Sequence, residues 1–220
     1  TEDVPVCVDG VSYAPHGIPD VDALGADIYL FSAYKTYGPH QGVMVIRRTL
    51  GEALPNQGHF FNGDTLYKRF TPAGPDHAQI AACAGIADYC DTLFASFGVP
   101  HRDARGRAAT VHDAMRQREV ALLQPLMEFL SSRNSVRVLG PKDAAVRAPT
   151  VAMLADRPGE ELAGELASHG INAGGGDFYS VRPLEAMGID LDHGVLRLSF
   201  THYTSEQEIE RLIKALHHVL

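Results

Sequence analysis

Two side chains carry the chemistry this sequence could do. Lys35 follows the apolar run Ile28-Tyr29-Leu30-Phe31 and precedes the turn Gly38-Pro39, so an amine is delivered at the end of a strand of the buried type. Burial or neighbouring cations would hold such an amine neutral, the form that attacks a carbonyl. Asp9 closes a second β-branched run, Val4-Pro5-Val6-Cys7-Val8, and is followed by Gly10. The interval between the two runs contains Pro15, Gly17 and Pro19 and is long enough for a crossover between parallel strands, which needs about a dozen residues. Both side chains would then reach the carboxyl-end rim of one open sheet, where such sheets bind ligands. An amine and a carboxylate on one rim are the pair pyridoxal phosphate requires: the amine carries the aldehyde, and the carboxylate keeps the ring nitrogen protonated. At an effective dielectric near 20 a contact ion pair is worth roughly 4 kcal/mol before desolvation, enough to keep that nitrogen charged at neutral pH. Taken singly, each residue has a plainer reading, Lys35 as a solvated lysine and Asp9 as a turn carboxylate.

The elements that must position these residues fall into two groups. Strand-like runs near 4–8, 27–31 and 42–47 come first, followed by a loop containing Asn62-Gly63-Asp64 and Thr71-Pro72-Ala73-Gly74-Pro75. A helix from about His77 to Phe94 carries the small residues Ala78, Ala81, Ala82, Ala84, Gly85 and Ala87, and Pro100 marks a boundary. A second helix, Arg102 to Ser131, places Val111, Met115, Leu122, Leu126 and Leu130 near helical spacing, with a kink expected at Pro125. Strands near Val136–Leu139, Val151–Leu154 and Val195–Ser199 then alternate with helices near Glu160–His169 and Ser205–His218. The last of these opens on the capping box Ser205-x-x-Glu208 and puts Ile209, Leu212, Ile213 and Leu216 on one face. The second half reads as a compact α/β domain.

The segments Val8-Asp9-Gly10-Val11-Ser12-Tyr13-Ala14-Pro15-His16, Val21-Asp22-Ala23-Leu24-Gly25-Ala26-Asp27 and Phe31-Ser32-Ala33-Tyr34-Lys35-Thr36-Tyr37-Gly38-Pro39 resemble the cofactor region of class-V aminotransferases. These form the cysteine-desulfurase-like branch of fold-type I pyridoxal-phosphate enzymes. The resemblance is dense over residues 4–47 and continues more loosely through Gly194–Ser199 and His202–Ile209. It implies an α/β fold in which residues 1–99 are the C-terminal part of a large cofactor-binding domain and residues 100–220 a small C-terminal α/β domain. By position it implies that Lys35 carries the cofactor as a Schiff base, Asp9 pairs with the pyridine nitrogen and Ser32 donates to the phosphate. Ser12 would stand beside the phenolic oxygen and Tyr34 near the phosphate, while Arg197 would clamp the substrate carboxylate bidentately. It also implies a homodimer.

Departures from the family pattern narrow the chemistry. Ser12 stands where desulfurases usually have glutamine and Tyr34 where they have histidine, so reach is shorter at the first position and a neutral-pH proton shuttle is lost at the second. The stretch Ile171-Asn172-Ala173-Gly174-Gly175-Gly176-Asp177-Phe178-Tyr179, which matches the loop of the sulfur-accepting cysteine, contains none. Cys7 is expected in a core strand, and Cys83 and Cys90 on an apolar helix, all as small buried hydrophobes. The loop near Thr71–His77 has Pro75 after Gly74, without the hydroxyl the family uses to reach a partner's phosphate site. The expected enzyme is therefore an aminotransferase, or a desulfurase-like lyase working without a persulfide cysteine, on a small amino-acid substrate.

Composition limits the alternatives. A formal net charge of −8 makes nucleic acid and anionic membrane poor partners. No apolar run approaches the ~20 residues of a membrane span, and three cysteines without framework spacing fit a reducing, cytoplasmic setting. The eleven histidines are scattered and suggest no metal site. Ser32-Ala33-Tyr34-Lys35 is formally the S-x-x-K of serine acyl-enzymes, but the companion S-D-N and K-T-G motifs do not occur. A non-catalytic binding or regulatory domain with a retained fold is the other alternative. Three strands are too few for a complete cofactor-binding sheet, so the chain reads as about half of such an enzyme, inactive by itself.

Overall fold

The computed structural model describes residues 4–17, 19–71, 74–100 and 102–220. The chain divides into two compact units, Thr1–Ala114 and Met115–Leu220.

The first unit is built on three strands, β1 (Cys7–Asp9), β2 (Ile28–Ser32) and β3 (Gly42–Ile46), in the order β1-β2-β3. β1 and β2 are parallel, with Asp9 opposite Leu30, as the crossover length requires. β3 returns antiparallel to β2, with Gly42 opposite Ser32, because only the short connection after Lys35 joins them. Helices α1 (Arg48–Ala53), α2 (His77–Ala82) and α3 (Ala84–Ser96) follow. The single helix expected over 77–94 is thus two: Asp76 caps α2 by accepting from the Gln79 N–H at 3.1 Å, and the chain restarts after Cys83. Pro72 and Ala73, in the loop expected to face a partner's phosphate site, lie outside the described residues, as do Thr1, Glu2 and Asp3.

Among the described residues few large side chains of this unit are buried: Tyr29, Ile86, Phe94, Val111 and His16. Val4, Val6, Met44, Val45, Phe60, Phe61 and Tyr67 are exposed. Cys7, expected in the core, is exposed because the sheet face it shares with Asp9 is uncovered; Cys83 and Cys90 are partly buried. Burial pushes the Cys90 thiol up, with Asp91 adding to the effect.

Helix α4 (Ala104–Ser131) runs unbroken past Pro125 and crosses from the first unit's residues into the second's. The second unit has a four-stranded sheet of order β4-β5-β7-β6, formed by β4 (Arg137–Val138), β5 (Thr150–Leu154), β6 (Gly174–Gly176) and β7 (Val195–Ser199), every neighbour antiparallel. Helices α5 (Gly159–Ser168), α6 (Val181–Ala186) and α7 (Glu206–Val219) complete it. Leu196 and Leu198 of β7 and Val151 and Met153 of β5 point into one core with Leu126 and Leu130 of α4, Leu162 and Leu166 of α5, and Leu216 of α7. The Ser205–Glu208 capping box forms as expected. The glycine run read as loop is an edge strand. A side chain at Gly175 would strike the carbonyl carbon of Gly159 at 2.2 Å, so glycine here serves close backbone approach.

Candidate active site

In a parallel pair, register partners share a face and side chains alternate along each strand. Asp9 is opposite Leu30, so Asp9, Leu30 and Ser32 project from one face, at the end where β1 and β2 both terminate. The same face carries Gly42 across from Ser32; a Cβ there would meet nothing within 4 Å, so the face is open.

The turn after β1 fixes Asp9. Its Oδ1 accepts from the Val11 N–H at 3.0 Å, while the Gly10 carbonyl accepts from the Tyr13 and Ala14 N–H groups. Gly10 lies against the buried Tyr29 ring. Burial, helped by Tyr13 and Asp9, pushes the Tyr29 phenol above its ordinary range. Ser12 is exposed on this turn.

β2 ends at Ser32 and passes into one 3-10 turn, Ala33–Lys35. The buried Thr36 closes it, its hydroxyl donating to the Ser32 carbonyl at 3.0 Å and its N–H to the Ala33 carbonyl at 2.8 Å. Ala33 N–H donates to Gln41 carbonyl at 2.8 Å, bringing the chain back into β3. Tyr37, at φ 63°, donates its hydroxyl to the Pro15 carbonyl and so ties the lysine turn to the turn after β1. The Tyr34 ring stacks on His40 with centroids 4.9 Å apart, and the Lys35 Nζ lies 5.9 Å from the Tyr34 centroid. Lys35 is exposed rather than buried, since this rim is uncovered. Ser32 closes a strand and opens only a single 3-10 turn, not the α-helix in which S-x-x-K sits in serine acyl-enzymes.

Asp9, Ser12, Ser32, Tyr34 and Lys35 thus all belong to the two strand ends and their turns in the first unit. A carboxylate, hydroxyls and a primary amine on one open rim fit the donor set that pyridoxal phosphate requires. Arg197 stands in the second unit, exposed on β7 between Ala152 of β5 and Gly174 of β6. Its guanidinium carbon is 3.9 Å from the Phe178 ring centroid. Sequence reasoning did not single out Tyr29, Tyr37, His40 or Phe178. Only Phe178, beside the glycine run, carried a signal. Among the described residues no group of His, Cys, Asp and Glu could hold a metal ion, and no helix is long and apolar enough to cross a membrane.

The fold is that of the fold-type I pyridoxal-phosphate enzymes. The apo cysteine desulfurase of Thermococcus onnurineus superposes with a TM-score of 0.78 at 21% identity, over 99% of this chain and 53% of that one. An Escherichia coli cysteine desulfurase gives 0.76 at 22%, over 98% and 51%. Residues 1–74 match the family model for class-V aminotransferases. An aminotransferase-like protein of Gibberella zeae is 33% identical over 98% of this chain and 51% of its own length, and a probable cysteine desulfurase of Vibrio cholerae is 29% identical over 96% and 50%. The chain belongs to the class-V aminotransferase family, whose members use pyridoxal phosphate, and it spans about half the length of the curated relatives it matches.

Proposed function

We propose that this chain contributes to a pyridoxal-phosphate enzyme acting on a small amino acid, as an aminotransferase or a lyase that uses no persulfide cysteine. The observation carrying this is the register that sets Asp9 and Ser32 on one face of two parallel strand ends, three residues before Lys35. When bound, the cofactor supplies an electron sink for a carbanion at the substrate's α-carbon. Lys35 Nζ would hold its aldehyde and, once displaced by the substrate amine, would be the free base that takes and returns the proton at that α-carbon. Asp9 would keep the ring nitrogen protonated; Ser32 and Tyr34 would donate to the phosphate, and Ser12 to the phenolic oxygen. Arg197 receives the substrate carboxylate.

In these terms residues 1–99 belong to the large cofactor-binding domain and 100–220 to the small one, a boundary that assigns the whole of α4 to the latter. The exposed Val4, Val6, Met44, Phe60, Phe61 and Tyr67 are apolar surface of the kind that more polypeptide covers, either the rest of the protein or the partner subunit of the proposed homodimer. A cytoplasmic setting fits the absence of disulfides among the described residues.

The test uses the full-length protein. Borohydride reduction after cofactor loading should attach the cofactor to the Lys35 peptide, and a panel of amino acids should yield a keto acid, alanine, or pyruvate with ammonia. Lys35→Ala should abolish both the adduct and turnover; full turnover by Lys35→Ala would overturn the reading.

A further inference from the structure

Arg197 is an arginine with its hydrogen-bonding edges free. Among the described residues its guanidinium makes no hydrogen bond or ion pair, whereas Arg47, Arg107, Arg116, Arg118 and Arg157 each hold a carboxylate. Its one partner is the face of Phe178, 3.9 Å from guanidinium carbon to ring centroid. Stacking on a ring uses the face of a guanidinium and leaves its N–H edges available for a bidentate carboxylate.

The chain spends strain to put that ring there. Phe178 and Tyr179 stand at φ 52° and 61°, two successive left-handed residues that are not glycine. The Asp177 carboxylate accepts from the Tyr179 N–H at 2.9 Å and its carbonyl from the Ser180 N–H at 2.9 Å, which closes the turn. Phe178 also packs against the buried cluster of Leu184, Ile189 and Val195, so the ring is anchored independently of Arg197. Gly174, opposite Arg197, makes room: a Cβ there would lie 2.9 Å from the ring.

We propose that Phe178 is a positioning residue that holds the Arg197 guanidinium flat, with its edges presented to the carboxylate of a small amino-acid or keto-acid ligand. This rests on reading Arg197 as the carboxylate clamp. The ring does not touch the ligand. It removes the rotamer freedom an exposed arginine would lose on binding.

The experiment is an NMR titration of the full-length, cofactor-loaded protein with 15N-labelled arginine, in which the Arg197 Nε–H signal is assigned by its loss in Arg197→Lys. Sodium pyruvate is the probe and pyruvamide the uncharged control. The wild-type signal should be shifted by the ring current and should move with pyruvate but not pyruvamide. Phe178→Leu should remove the ring-current shift and weaken pyruvate about tenfold, which corresponds to ~1.4 kcal/mol. Phe178→Tyr should restore both, and Phe178→Leu should add nothing in the Arg197→Lys background. Unchanged pyruvate affinity in Arg197→Lys would overturn the clamp reading itself. If Arg197→Lys weakens pyruvate while Phe178→Leu leaves it intact, or if Phe178→Leu weakens it equally in both backgrounds, only the positioning role fails.

Discussion

A Cβ built on Gly10 would lie 2.0 Å from the Tyr29 hydroxyl oxygen, so the phenol fills the space that a side chain at position 10 would need. Tyr29 is the register partner of Val8 and only 2% exposed, and its hydroxyl has no hydrogen-bond partner among the described residues. Gly10→Ala forces the ring to move within a packed layer and should cost about 2 kcal/mol, in the range of overpacking. Tyr29→Phe removes a buried hydroxyl without a partner and should raise stability by about 1 kcal/mol. Chemical denaturation of the two variants checks both signs; a destabilised Tyr29→Phe would mean the hydroxyl is satisfied in solution.

The same phenol gives the chain an alkaline limit. Burial raises the Tyr29 pKa above its unfolded value near 10, so the folded state keeps the proton to higher pH than the unfolded state does. The unfolded chain then binds fewer protons, and stability falls as pH rises from about 10 through the folded pKa. This contribution is fully present below pH 10. Denaturation midpoints between pH 8 and 11 should decline in the wild type and decline less in Tyr29→Phe.

How far the sequence could be read follows from what each residue advertises. Asp9 and Lys35 each end an apolar run, so the two strand ends and their parallel pairing were legible from spacing. The Ser205–Glu208 box was legible because its two members are local. The exposure of Cys7 and Lys35 was not, since a strand's composition tells which faces are apolar and not which are covered. The glycine strand β6 looks like loop in sequence because glycine has low strand propensity. It pairs with β7 for the sake of close approach to Gly159, a tertiary fact. The Tyr37 tether to Pro15 joins residues far apart in sequence and left no pattern to find.

Helix α4 carries a buried carboxylate paired with an arginine. Glu119 on α4 is fully buried and accepts from Arg116 at 2.9 Å, while the other Arg116 nitrogen donates to the Arg147 carbonyl at 2.8 Å. Arg116→Ala would leave the Glu119 carboxylate without that cation and the Arg147 carbonyl without that donor, and should cost about 3 kcal/mol. Arg116→Ala with Glu119→Gln also removes the carboxylate's charge and should recover part of the loss. Thermal unfolding of the single and double variants measures the difference; equal losses would show that the carboxylate is compensated by other groups.

The open rim leads to a prediction for the chain alone. Asp9 and Lys35 are both exposed, and the face that Asp9 shares with Ser32 carries Gly42, where an added Cβ would meet nothing within 4 Å. An amine in water reacts reversibly with an aldehyde, and an exposed carboxylate interacts weakly with a pyridinium because the charges stay solvated. Among the described residues both groups stay in contact with water, so little would strengthen the ion pair. Titrating pyridoxal phosphate into the isolated 220-residue chain should therefore give weak, non-saturating absorbance changes in the micromolar range. Lys35→Ala should lower them only partly, because other lysines react similarly when solvated. Tight, stoichiometric binding abolished by Lys35→Ala would show instead that these strand ends and turns suffice to hold the cofactor.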